Sequence, residues 1–258
     1  MAKHLCFSKH TLSFLRKVSR QKNPNYLVKN RDEYEKYFLG PFVALAKTLK
    51  EEIQPIAPQF HFPQKGIGRL KRPSHKVDKN GGGLFRGWVT YSASRPNESR
   101  FETNPNLFFM INSEDKDDPV LVAGGLYFPS SRQTRAIREA IAADASAFDE
   151  LFSDREFKKS FKGGFSLERS ATRTPRGFDE NHERIDWIKL QGFFVWRSYT
   201  QKQFTSKSFA KLVAKDLKQA LRLALLLEKA IDGTLNRSRP IENRFEDIEA
   251  VSPRKMDF

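Results

Sequence analysis

Cysteine is almost missing from this chain: Cys6 stands alone among 258 residues. A lone cysteine can close no intramolecular disulfide and build no cysteine metal cluster, so a reducing compartment, the cytoplasm, is expected. Long apolar runs are missing too. The greasiest stretch, Leu221–Leu227, is far shorter than the ~20 residues of a membrane-spanning helix and sits among Lys and Arg. Met1-Ala2-Lys3-His4 begins basic but leads into no apolar core, which argues against a secretory signal. The sequence contains no HExxH, P-loop, nucleophile elbow or phosphate-binding GxGxxG. Its five histidines (His4, His10, His61, His75, His182) have no metal-ligand spacing, and neither a metal nor a cofactor is expected. Asp154, Glu156 and Lys158 imitate a nuclease triplet, but so short a gap does not supply the geometry of a metal site.

Acid is scarce where base is plentiful. Lys and Arg number 46 against 31 Asp and Glu, a formal charge of +15. No acid precedes Asp32, while residues 65–100 carry Lys65, Arg69, Lys71, Arg72, Lys76, Lys79, Arg86, Arg95 and Arg100 against only Asp78 and Glu98. Clustered positive charge is the electrostatic footprint of a partner rich in phosphate, although a basic surface can also serve solubility alone. Hydrophobic residues at 38%, with 23 Phe, supply enough apolar surface for a folded core.

Periodicity predicts an α+β fold: a mixed, largely antiparallel sheet, with helices at both ends of the chain packed on it. Residues 1–233 are expected to form one domain and residues 234–258 a polar, loosely held tail. Helices are predicted over Phe7–Val18 and from about Asn30 to Ile53, the second kinked or broken at Pro41. A strand is expected at Trp88–Ala93, and an antiparallel hairpin pairs Leu107–Ile111 with Val120–Phe128 at the centre of the sheet, apolar on both faces. Gly124 and Gly125 mark a bulge or a close backbone approach. Ser130 and Gln133 form a capping-box pattern that opens a helix. Two short helices follow over Phe148–Phe161, the second capped by Asp154. Further strands are predicted at Ile67–Leu70, Phe165–Arg169 and Phe193–Tyr199, and a last helix runs from Ser206 to Ile231, stopped by Gly233.

Three places carry candidate chemistry. On the last helix Lys207, Lys211, Lys215, Lys218 and Arg222 fall within roughly 80° of arc, opposite Phe209, Val213, Leu217 and Ala224. This acid-free stripe reads either as a solvated face or as a phosphate-contacting ridge. At the strand-to-helix junction, Ser130, Ser131, Arg132 and Arg135 surround a helix N-terminus, whose unpaired N–H groups suit an anion. The bland alternative there is a well-capped helix. In Pro175-Arg176-Gly177-Phe178, continuing to His182, the imidazole either pairs with Asp179 or Asp186 as an acid–base group or braces a turn.

The succession Asn25-Tyr26, Asn30, Tyr34, Pro41, then Ala123-Gly124-Gly125-Leu126-Tyr127-Phe128-Pro129, Ala136-Ile137-Arg138 and Pro175-Arg176-Gly177-Phe178 with His182 resembles the bacterial family called domain of unknown function 2461. The resemblance runs from about Phe14 to Gly233. Arg69 and Arg72 match the first two arginines of that family's RxxRDxRF stretch, and Asp78-Lys79 resembles its later acidic-Lys pair. Pro73 and His75 stand where the family has Asp and Arg. The resemblance implies one α+β domain in the bacterial cytoplasm and carries no activity with it.

These readings favour a protein that binds nucleic acid or another polyanion, as one component of a larger assembly or alone, with no membrane association. One alternative is an enzyme on a phosphorylated substrate gathered by Arg69, Arg72, Lys79 and Arg176. Another is a scaffold for an acidic protein partner. Arg69–Lys79 and Gly124–Arg135 are expected to line one principal pocket. An exposed Trp88 or Tyr91 beside the cations would favour nucleic acid, because aromatic rings stack on bases.

Overall fold

A computed structural model describes residues 6–63, 67–77, 83–97 and 102–235 of the chain. Lys79 and the expected tail beyond Leu235 lie outside the described residues. In chain order the helices are α1 (Lys9–Ser19), α2 (Tyr26–Lys29), α3 (Arg31–Tyr34), α4 (Gly40–Ile53), α5 (Ser131–Ala143), α6 (Ser146–Ser153), α7 (Arg155–Phe161), α8 (Ile185–Ile188), α9 (Gln201–Phe204) and α10 (Phe209–Ile231). The strands are β1 (Trp88–Ser94), β2 (Asn106–Asn112), β3 (Val120–Leu126) and β4 (Phe193–Tyr199). They form one sheet in the order β1-β2-β3-β4, and all three pairings are antiparallel. The fold is α+β, with the 107–128 hairpin at its centre.

Pro41 produces a change of helix type instead of a break. Between α3 and α4, Glu35–Leu39 winds as a π-helix, a wider turn that carries the chain past the proline ring. Lacking an N–H, Pro41 cannot donate to the carbonyl of Tyr37 four residues back. The buried hydroxyl of Thr11 in α1 donates to that carbonyl at 2.7 Å, so the defect becomes the docking point of the first helix.

Alternation along the strands decides which face is covered. Tyr91, Phe109, Val122 and the Arg197 stem share one face by register, with Gly124 and Tyr199 beside them. This face meets α10, and Phe42 of α4 packs on it against Tyr91 and Phe109. The contact with α10 is close: a Cβ on Gly124 would lie 2.4 Å from the Cβ of Ala220. At Gly125 the backbone takes φ +120, a region open to glycine, and passes the Phe193 carbonyl just as tightly. The other face carries Thr90, Phe108, Met110, Leu121, Ala123 and Trp196, which are half-buried or exposed.

Two predicted strands are absent. Ile67–Leu70 is irregular and leads only to an isolated Lys71–Phe85 bridge. Phe165–Arg169 crosses the edge of β4 with a single backbone bond, Ser166 N–H to the Phe194 carbonyl, because Phe165 is anchored inward among Phe148, Phe152 and Trp187. Both runs have apolar composition suited to strands, but tertiary packing has used it without a ladder.

Candidate anion-binding cleft

The expected capping box at α5 is formed. Ser130 N–H donates to Gln133 Oε1 at 2.9 Å, and Gln133 N–H donates to Ser130 Oγ at 3.2 Å. An anion already sits beside this helix start, and it belongs to the protein. Glu102 accepts from Ser130 Oγ at 2.7 Å and from Arg132 through Nε at 3.0 Å and Nη2 at 2.6 Å. The Arg132 fork and the Ser130 hydroxyl hold the Glu102 carboxyl down at about 2. Ser130 and Arg132, expected as ligand-binding groups, are therefore taken by an internal carboxylate.

One helical turn further, α5 lines a cleft of about 860 Å³. Ser131, Thr134, Arg135 and Arg138 project from the helix, while Arg169 and Arg176 come from the segments between α7 and α8. Arg176 owes its place to a tight turn in which Phe178 N–H donates to the Pro175 carbonyl at 3.3 Å. Gly177, at φ +91, supplies the positive angle that this corner needs. Phe178 then packs on the core and fixes the turn.

The charges in this cleft are poorly balanced. Arg135 is met by Glu139 at 2.7 Å. For Arg138, Arg169 and Arg176, no carboxylate lies within ion-pairing distance among the described residues. Arg138 donates from Nη2 to the Leu190 carbonyl at 2.8 Å, and burial pushes its pKa down. The Nε groups of Arg138 and Arg169 are buried without a hydrogen-bond partner. Such groups are uncommon, since a buried donor left unmade costs about 1–3 kcal/mol. The Arg169 guanidinium lies over two aromatic rings, 4.8 Å from the centre of Tyr127 and 4.6 Å from that of Phe128.

His182 does not act as an acid–base group in this arrangement. Its Nδ1 accepts from Arg184 N–H at 3.0 Å, which leaves the proton on Nε2, and Nε2 donates to the Ala142 carbonyl at 3.2 Å. Both ring nitrogens are committed to bracing the loop against the end of α5, so the anion contact expected of His182 is not available. Arg184 secures the same loop by a two-pronged bond to Asp149 of α6, at 3.1 and 2.8 Å.

Arg69 and Arg72 do not line this cleft. Arg72 N–H pairs with the Leu84 carbonyl, and Arg86 N–H with that of Leu70, placing this segment just before β1, at the sheet edge opposite β4. The shared pocket expected from Arg69–Lys79 and Gly124–Arg135 is therefore not formed by the described residues. Nor are Trp88 and Tyr91 open rings. Trp88 is half-buried, with the Arg86 guanidinium 4.9 Å from its ring centre. Tyr91 is buried, which pushes its phenol up to about 12.

The α10 ridge keeps its direction but not its bare charge. Lys215 meets Glu156 of α7 at 3.1 Å, Lys218 meets Glu52 of α4 at 2.6 Å, and Arg222 meets Asp154, the α7 cap, at 2.8 Å. Acids from distant parts of the chain thus neutralise three of the five cations, leaving Lys211 exposed on α10, while Lys207, expected on the helix, is exposed before its first residue, Phe209. The same contacts absorb Asp154 and Glu156 of the nuclease-like triplet. Among the described residues no His, Cys, Asp and Glu cluster could hold a metal ion, and no helix is long and apolar enough to cross a membrane.

Sequence reasoning missed Arg138, Arg169 and Asp216. Arg138 was within reach, since it lies one and two turns from Thr134 and Ser131 on one helical face. Arg169 was hidden by the strand assignment. Asp216 lies on the buried side of α10, where Ser160 Oγ and Tyr199 Oη each donate to it at 2.6 Å and Arg197 Nη1 at 3.2 Å. Burial and the adjacent Asp216 charge push the Tyr199 phenol strongly up. This network ties α10 to α7 and β4.

A helix-backed antiparallel sheet with an arginine-lined cleft at its side is the class of protein that these features define. The chain belongs to the family described as "Conserved hypothetical protein (DUF2461)", whose match spans residues 10–224. Neither a curated protein nor a solved structure was found to match it.

Proposed function

We propose that this protein binds the phosphate groups of a polyanion, nucleic acid foremost, in the cleft between α5 and the Arg169–Phe178 segment. The observation that carries this reading is the gathering of Arg138, Arg169 and Arg176 around one cavity with no carboxylate of their own among the described residues. Two of them keep a buried N–H without a partner. Uncompensated guanidinium groups in a recess suit phosphate oxygens, which they can contact in a two-pronged way. The hydroxyls of Ser131 and Thr134, in the first turn of α5, add donors where the helix dipole favours negative charge. Contacts of this kind position a phosphate backbone without reading bases, so weak sequence preference follows. An enzyme acting on a phosphorylated substrate would call on the same arginines, but His182 is turned away from that task.

Binding of duplex DNA and of inorganic polyphosphate across a salt series tests the reading. Log affinity for the duplex should fall with log salt by roughly 0.9 per phosphate neutralised. Arg176→Glu and Arg169→Gln should each weaken binding on the order of 10-fold at low salt and lower the salt slope by about one or more. Full affinity in both variants, or no binding of either probe at low salt by the parent, would overturn the proposal.

A further inference from the structure

The face of the sheet away from α10 presents an aromatic group for which the cleft alone has no use. Phe128 is 67% exposed, Tyr127 42% and Trp196 41%. Large rings so open at one place are costly to keep in water, and a local group of them marks a contact surface. Two of the three are in contact. Tyr127 packs on Phe128 with ring centres 4.6 Å apart and on Phe194 at 4.7 Å. Phe194 and Trp196 lie two residues apart on β4 and so share this outer face, with Ala123 opposite Trp196. Phe194 is buried beneath Tyr127, and Trp196 is exposed two residues further along the strand.

Arg169 joins this surface to the cleft. Its guanidinium covers both Tyr127 and Phe128 while the same residue lines the arginine cavity. Lys159 and Lys162 lie beside Trp196, around a second recess of about 520 Å³. Cations interleaved with exposed aromatic rings match a ligand that alternates phosphates with flat bases. A double helix cannot satisfy such a surface, since its bases are already stacked.

We infer that Tyr127, Phe128 and Trp196 are a stacking platform for unpaired bases, and that the ligand of this protein is single-stranded nucleic acid with its phosphates in the adjoining arginine cleft. This inference rests on the cleft reading and narrows its ligand class. Stacking requires only a π-face, so the platform accepts any base. The phosphate backbone enters at Arg176 and Arg138, and the bases turn out over Arg169 towards β4.

The experiment compares three probes on the full chain: a single-stranded oligodeoxythymidine, a blunt duplex of the same length, and base-free inorganic polyphosphate. The single strand should bind at least 10-fold more tightly than the duplex and quench tryptophan fluorescence, and Trp196→Phe should remove most of that quench. Phe128→Ala and Trp196→Ala should each weaken the single strand on the order of 10-fold, as expected for one stacked base. Trp196→Ala should leave polyphosphate affinity within about twofold, because Trp196 does not line the arginine cleft and the cleft cations remain. Equal affinity of parent for single strand and duplex, or unchanged single-strand affinity in both ring variants, would overturn the inference. The cleft reading would survive that result if polyphosphate still bound and Arg176→Glu still weakened it. Failure of all three probes would remove both. Concentration-dependent self-association abolished by Trp196→Ala, without a single-strand preference, would assign the rings to contact between copies of the chain and also overturn the inference.

Discussion

Two basic regions of this molecule look alike as residues and differ as environments. The α10 ridge and the α5 cleft each gather several cations along a helix, and the ridge has the cleaner helical stripe. In three dimensions the ridge is answered by Glu52, Asp154 and Glu156, while Arg138, Arg169 and Arg176 of the cleft face one another. Charge counted along a chain therefore says little about the field that a ligand meets. What matters is whether other elements bring acids, and among the described residues they bring them to only one of the two sites.

The largest expected effect concerns the underside of the ridge helix. Asp216→Ala would leave the Tyr199 and Ser160 hydroxyls without their acceptor and the Arg197 Nη1 with only the Lys159 carbonyl, at 3.4 Å. Arg197 retains some contact with solvent, so the loss should fall near the lower end of the range for a broken buried pair, about 3 kcal/mol. Urea denaturation measures it, and a loss within experimental scatter would show that water replaces the network at little cost.

Reversing the ridge sharpens the contrast directly. Lys211→Glu, Lys215→Glu and Lys218→Glu combined should cost stability through the pairs to Glu156 and Glu52, roughly 0.2–1 kcal/mol for each pair. Polyphosphate affinity in low salt should stay within about twofold of the parent. If it falls as far as in Arg176→Glu, ridge and cleft share one binding field and the distinction between them collapses.

The smallest effect belongs to Glu102. Its carboxyl, ordinarily near 4.5, is held at about 2 in the folded chain. A depressed carboxylate contributes stability that is fully present above its unfolded pKa and is lost as pH falls through the folded one. The contribution of the Ser130 and Arg132 contacts should therefore fade between about pH 4.5 and pH 2. For a solvent-screened pair it amounts to about 1 kcal/mol or less. Glu102→Gln should flatten that part of the stability profile. Acid unfolding superimposable on that of the parent would mean that the fork is not used.

Much of the architecture was legible because it is local. Trp88–Ala93, the 107–128 hairpin and Phe193–Tyr199 announce themselves by β-branched and aromatic runs, and α10 by its opposed faces. Ser130 and Gln133 define a helix start within four residues, and that box is formed as read. The site was far less legible. Partners of the ridge come from remote positions, such as Glu52 for Lys218, and no helical wheel includes them. Phe165–Arg169 has strand composition but surrenders Phe165 to an aromatic cluster, which turns Arg169 toward the cleft. Pro41 signalled trouble correctly, while the remedy lay in Thr11.

Every residue that lines the arginine cleft lies between Pro129 and Gln191, within the single connection that carries the chain from β3 to its neighbour β4. Strands β1, β2 and β3 pair in sequence order through short connections, but β4 can join only after this long excursion has folded back. Closing so large a loop carries an entropic cost that the β1–β3 meander does not share, so β4 is placed to add late in folding. The cleft acquires its shape in the same event. A polyanion that occupies it favours the state in which β4 is zipped to β3, through the ordinary linkage between binding and folding. The last strand of the sheet and the arginine cleft are thus one cooperative unit, and the proposed occupancy should be felt first as slower opening of that edge.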